Sequence, residues 1–152
     1  MMVRIVNAFK KSRVYKTEGD PAMMTAAMLA ARRGLKMSGA INAQIQRFWG
    51  VVDLLKDPTS GELTRASYCA LNVKIQKAMV SDFVAEEAER DARTDWSQDM
   101  RRLRAVRGQG APDEATTMGF DDFRESMFEL ADLWCDDVQE GSYVGFLQEV
   151  LG

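Results

Sequence analysis

The stretch KDPTSGELTRAS, Lys56 to Ser67, decides the fold. It separates two segments of helical apolar periodicity, and it holds a glycine, Gly61, two residues ahead of an aliphatic, Leu63. Glycine tolerates left-handed backbone, so Gly61 marks a sharp turn. Upstream, Ile41, Ile45, Phe48, Trp49, Val52 and Leu55 recur at the offsets of one helical face. Downstream, Tyr68, Leu71, Ile75 and Met79 share a face between about Arg65 and Val80. A turn in that position sets the angle between two amphipathic helices.

Working outward, the same signals recur. Asp20 and Pro21 read as the N-cap and first residue of a helix that Gly34 stops, and Ser38 caps the next one. After Ser81–Asp82, Ala88, Ala92, Trp96, Met100 and Leu103 form a thin apolar stripe, with acids early and arginines late as the helix dipole prefers. Phe120, Phe123, Met127, Leu130 and Trp134 make another face, and Tyr143, Phe146, Leu147, Val150 and Leu151 a last one. The expected organisation is a basic arm over residues 1–19, a helical region over 20–107 and a Gly/Pro-rich linker over 108–118. A second helix–loop–helix over 119–152 would pack with the first as one domain.

Composition narrows the chemistry. The 152 residues are 46% hydrophobic and 28% charged, a globular balance. Histidine is absent, which removes histidine-dependent hydrolytic triads, histidine-ligated zinc and a histidine pH switch. Cys69 and Cys135 lie far apart in helical patterns and read as small apolar residues in a reducing compartment. The N-terminus lacks the pattern of a secretory signal or a myristoylation site, and no apolar run approaches a membrane span. Acidic pairs such as Asp121–Asp122 fit a helix start, and no phosphate loop or activated nucleophile is apparent, so no enzyme and no cofactor are expected. Net charge is −3, but residues 1–40 carry eight Lys/Arg against two acids, whereas eleven acids and one Arg follow Pro112. Such asymmetry favours docking between partners of opposite sign.

The two helical hairpins resemble each other. VVDLLKDPTSGELTRASY (51–68) can be set against LADLWCDDVQEGSY (130–143), which aligns Leu63 with Val138 and Ser67–Tyr68 with Ser142–Tyr143. That ending has the spacing with which an EF-hand loop enters its exiting helix, and the alignment predicts a short bridge between the two aliphatics. Calcium binding needs oxygens from loop positions 1, 3, 5, 7 and 9 and a bidentate Glu at 12. With Gly61 at position 6, Lys56, Pro58 and Ser67 fall at positions 1, 3 and 12. The second loop, with Asp136, Asp137 and Ser142, is about four residues short. Both loops are expected to be calcium-silent.

The run FRESMFELADLWCDDVQEGSYVGFL resembles the C-terminal signature of EF-hand-like flagellar and axonemal proteins, through Phe123, Ser126, Phe128, Glu129, Leu130, Ala131, Asp132, Trp134, Tyr143, Phe146 and Leu147. The stretch 67–99 is similar to the middle of that family through Tyr68, Leu71, Asn72, Lys74, Ile75, Asp82, Phe83, Glu87, Ala88, Asp95, Trp96 and Asp99. The resemblance spans roughly residues 45–151. It implies an all-α, degenerate paired EF-hand-like domain with an extended basic arm. It also implies a structural or adaptor role in a cilium or flagellum, within a large hetero-complex of axonemal proteins.

Partner-binding residues are expected at two places. Lys10, Lys11, Arg13 and Lys16 would lie against an acidic protein surface such as that of tubulin. Met23, Met24, Met28 and Leu29 exceed what one short helix needs for its own core and would dock on another chain. The arginines at 101, 102, 104 and 107 serve a helix end or an acidic protein surface rather than nucleic acid, since no aromatics interleave them. An alternative function is a calmodulin-like or light-chain-like module that clasps a partner helix, with calcium as its signal.

Overall fold

A computed structural model describes residues 25–151. Among them, six helices are arranged around one core, as the all-α reading expects. Helix α1 spans Ala26–Leu35 and α2 Gly39–Val51, followed by a 3-10 turn at Asp53–Leu55. Strand β1, Leu63–Thr64, leads straight into α3, Arg65–Met79. Helix α4 is Ala85–Val106, strand β2 Thr117–Met118, α5 Phe120–Trp134 and α6 Glu140–Leu151.

Local chemistry explains the boundaries. Thr25, Ser38 and Thr64 each accept a backbone N–H of the first turn, from Met28, Ile41 and Ser67 at 3.2 Å, so α1, α2 and α3 start at side-chain caps. Asp20 and Pro21 lie outside the described residues. Gly61 has φ +69°, the left-handed backbone that the sequence requires of it. Asp57 closes the turn, its carboxylate accepting the N–H of Thr59 at 2.7 Å and of Ser60 at 3.1 Å.

The core follows the predicted faces. Ile41, Ile45 and Phe48 of α2 meet Phe123 of α5 and Tyr143, Phe146 and Val150 of α6, and Tyr68, Leu71, Ile75 and Met79 face Trp96 and Met100. Helices α3 and α4 pack most extensively on each other, and α2 packs on both α5 and α6. Trp96 and Trp134 are buried in the core, while Trp49 is half-buried and tilts against Phe120 and Phe123.

One sequence expectation is corrected. Leu63 pairs with Met118 and Thr64 with Thr117 in an antiparallel ladder, so the partner of Leu63 is not Val138. Residues 108–118 are therefore more than a linker, because their last two residues are a strand. Met118 is fully buried beside Leu63, one residue ahead of the cap of α5, much as Leu63 precedes Thr64, the cap of α3. Val138 lies half-buried in the short turn between α5 and α6.

Candidate functional site

Two features carry chemistry, and the first is the pair of loops joined by β1 and β2. Lys56 sits where an ion-binding loop would place its first oxygen. Its ammonium pairs with Asp53 and lies 3.9 Å from the centroid of the Trp49 ring. Ser67 donates its backbone N–H to the Thr64 cap, and its hydroxyl accepts from the Thr64 hydroxyl, both at 3.2 Å. In the second loop the Asp113 carboxylate accepts from the Ala115 N–H and the Thr116 hydroxyl, both at 3.0 Å, and these bonds hold it below the usual carboxylate range. Gly108, at φ +72°, turns the chain out of α4.

Across this second loop, Arg107 grips Asp122. The guanidinium donates from Nη2 to Oδ2 at 3.0 Å, a charge-assisted hydrogen bond, and its Nη1 stands 2.9 Å from Oδ1 as an ion pair. Asp122 is buried in the first turn of α5, and Arg107 caps the C-terminal end of α4. Each charge lies at the helix terminus whose dipole favours it. The Asp122 carboxylate pushes the Arg107 guanidinium still higher, mainly through the hydrogen bond. Glu62 of the first loop reaches over to accept the Thr117 hydroxyl at 2.6 Å, tying the loops together beside the ladder. Among the described residues, no group of three or more His, Cys, Asp and Glu is placed to hold a metal ion.

The second feature is a cleft of about 150 Å³ lined by α3, α4 and α5. Its apolar part consists of Leu71, Ile75 and Met79 from α3 and Met127, Leu130, Leu133 and Trp134 from α5. Leu130 and Leu133 are half-buried and present apolar surface at the opening. A polar seam runs along one side. The Asn72 amide donates to the Tyr68 hydroxyl at 3.4 Å and to Asp95 at 3.3 Å, and the buried Gln76 donates to the Asn72 side chain and to the Ala88 carbonyl. The Ser126 hydroxyl donates to Asp99 at 2.8 Å.

Three carboxylates, Asp95, Asp99 and Glu129, line this cleft and no Lys or Arg does. Arg102 stands beside them, bonded to Glu129 and 3.4 Å from Asp99, with a half-exposed side chain. Burial raises the pKa of both Asp99 and Glu129 despite that arginine, so the cleft disfavours its own negative charge. The Tyr68 hydroxyl is likewise pushed up, first by burial and then by Asp99 and Asp95.

The predicted site residues are dispersed relative to this cleft. Lys10, Lys11, Arg13, Lys16, Met23 and Met24 lie outside the described residues. Met28 is half-buried and Leu29 exposed on α1, a helix with no buried residue that is held to α5 by Arg32–Asp132 at 3.0 Å and Lys36–Glu125 at 3.2 Å. Asp136 and Asp137 are exposed in the turn before α6, where Asp137 accepts the Gln139 N–H, and the Ser142 carbonyl accepts from the Cys135 thiol at 3.5 Å. Cys69 and Cys135 are not joined in a disulfide. Within the chain, Arg102 meets Asp99 and Glu129, Arg107 meets Asp122, and Arg104 donates to the Gly110 carbonyl at 2.7 Å. The sequence reading missed the seam and the Arg107–Asp122 pair. The one available signal was Asp122, a second acid at a helix start where one cap suffices.

No protein-family model, no curated protein and no solved structure matches the chain. No helix among the described residues is long and apolar enough to cross a membrane.

Proposed function

We propose that the chain is a non-catalytic structural or adaptor subunit built on a degenerate pair of EF-hands, which holds a helix of a neighbouring protein in the cleft between α3, α4 and α5. The observation that carries this reading is the ladder between Leu63 and Met118. In paired EF-hands the eighth loop residues bridge in this manner and the exiting helix follows at once. Counting from that register, the first hand is α2, its loop and α3, and the second is α4, its loop and α5. The twelfth positions are then Ser67 and Asp122.

On this reading each loop has a substitute for the ion. In the first, Lys56 brings its own positive charge to position 1 and the Asp57 turn supplies the closure. In the second, the Arg107 guanidinium satisfies the carboxylate at position 12, where a bidentate calcium contact would fall. A hand held by its own cation keeps one interhelical angle, which suits a permanent part better than a sensor. The cleft fits the mode in which an amphipathic helix lays its apolar face into a groove. The ciliary axoneme is the setting favoured by the resemblance of residues 45–151 to EF-hand-like flagellar proteins.

Two measurements test the proposal. Calorimetry and circular dichroism with calcium are expected to show no binding heat and no spectral change at micromolar levels. Micromolar affinity accompanied by newly exposed apolar surface would instead support the calcium-linked, calmodulin-like alternative. A tagged copy is expected to stay with detergent-extracted axonemes, and its release with the soluble fraction would remove the ciliary placement.

A further inference from the structure

The cleft is built in two unlike halves, and we infer that its occupant is a helix presenting one bulky apolar side chain and, one turn away on the same face, an arginine or lysine. This rests on the adaptor reading above and specifies the partner's chemistry. The whole cleft is about 150 Å³, enough for one benzene-sized group, so a single large side chain fills it against Ile75, Leu133 and Trp134 and the cationic group stays at the acidic rim. A partner would insert one anchor there, with the rest of its helix lying across the opening.

The other half selects charge. Asp95 is pinned by Asn72 and Asp99 by Ser126, so both carboxylates are oriented before any partner arrives. Pre-ordered acceptors lose little freedom on binding a cation. Glu129 completes the acidic wall, with Arg102 exposed beside it at the rim and Lys36 near enough to act on Glu129. A guanidinium or ammonium from the partner would relieve the desolvated negative charge that burial imposes on Asp99 and Glu129. A helix rises 5.4 Å per turn, so residues four apart project from one face and can serve the two halves together.

The same geometry gives Arg102 a second role. It reaches Asp99 and Glu129 from outside the cleft, and it competes with an incoming cation for the same oxygens. Removing it would leave the acidic wall open to the partner.

The test uses the full chain and two synthetic peptides of about 18 residues, long enough to form helix. Both carry the same leucine and phenylalanine face, one with arginine a turn from the anchor and the other with glutamate there. Binding is followed by the fluorescence of the cleft tryptophan and by calorimetry. The arginine peptide is expected to bind about tenfold more tightly, as one charged hydrogen bond allows, with the advantage shrinking as salt rises. Asp95→Asn should abolish most of that preference. Arg102→Ala, a change at an exposed site, should increase affinity for the arginine peptide. Equal binding of the two peptides would overturn the inference while leaving the adaptor reading intact. Binding of neither would remove the cleft as a docking site, and the adaptor reading with it. Weaker arginine-peptide binding by Arg102→Ala would also overturn the inference, because Arg102 would then belong to the binding surface.

Discussion

Replacing Arg107 with glutamine tests whether a side chain has taken over the work of an ion. The Asp122 side chain is only 7% exposed, while that of Arg107 is 43% exposed. Breaking a fully buried ion pair costs about 3–5 kcal/mol and an exposed one about 0–1 kcal/mol. This pair has one partner in each regime and carries a charge-assisted hydrogen bond at 3.0 Å, so Arg107→Gln is expected to cost about 2 kcal/mol. For a chain of this length a kilocalorie corresponds to about 2–4 °C, so thermal unfolding followed by circular dichroism should shift down by about 4–8 °C. The loss comes from stranding a carboxylate, so adding Asp122→Asn to the variant should recover a substantial part of it. The double-mutant cycle should then show a coupling of at least about 1 kcal/mol. An Arg107→Gln variant that melts within about 1 °C of the parent, or a cycle with no coupling, would refute the reasoning.

Two further substitutions probe the loop and the cleft. Gly61→Ala places a Cβ in open space, with no heavy atom within 4 Å, so any cost is conformational. At φ +69° that cost is about 1–2 kcal/mol. Gly61→Asn should lose less than Gly61→Ala, because asparagine tolerates left-handed backbone, and the reverse order in urea unfolding would contradict a backbone origin. Asp99→Asn should stabilise the chain at neutral pH. Burial raises the folded-state pKa of Asp99, so the folded chain holds that proton more tightly than the unfolded chain and stability declines as pH rises through the window between the two values. The advantage of the variant should therefore shrink toward zero below about pH 4, where both states are protonated. A stability difference that does not change between acid and neutral pH would contradict this assignment.

What could be read from the sequence, and what could not, divides by the range of the interaction. Helical faces depend on neighbours three and four residues away, and the faces through Ile41, Tyr68, Trp96, Phe123 and Tyr143 were all legible and all became core. The left-handed turn at Gly61 was legible for the same reason. The partner of Leu63 was not, because a two-residue strand has no periodicity to detect and Thr117–Met118 follows a stretch rich in Gly and Pro. The mismatch of about four residues between the two supposed loops was the warning. A loop that needs a gap to align with its partner has the wrong partner, and the distance from Met118 to α5 required almost none. The candidate site is less legible still. Asp99 and Ser126 are 27 residues apart and meet only once α4 and α5 are packed together. The 15-residue span from Arg107 to Asp122 crosses that same loop. The strand pairing fixes where α5 leaves the second loop, which closes the Arg107–Asp122 contact at one end of the helix. At the other end Leu133 and Trp134 line the cleft together with α3. A substitution that loosened the loop should therefore also alter the cleft, so Arg107→Gln is expected to weaken binding of the arginine peptide although Arg107 does not line the cleft.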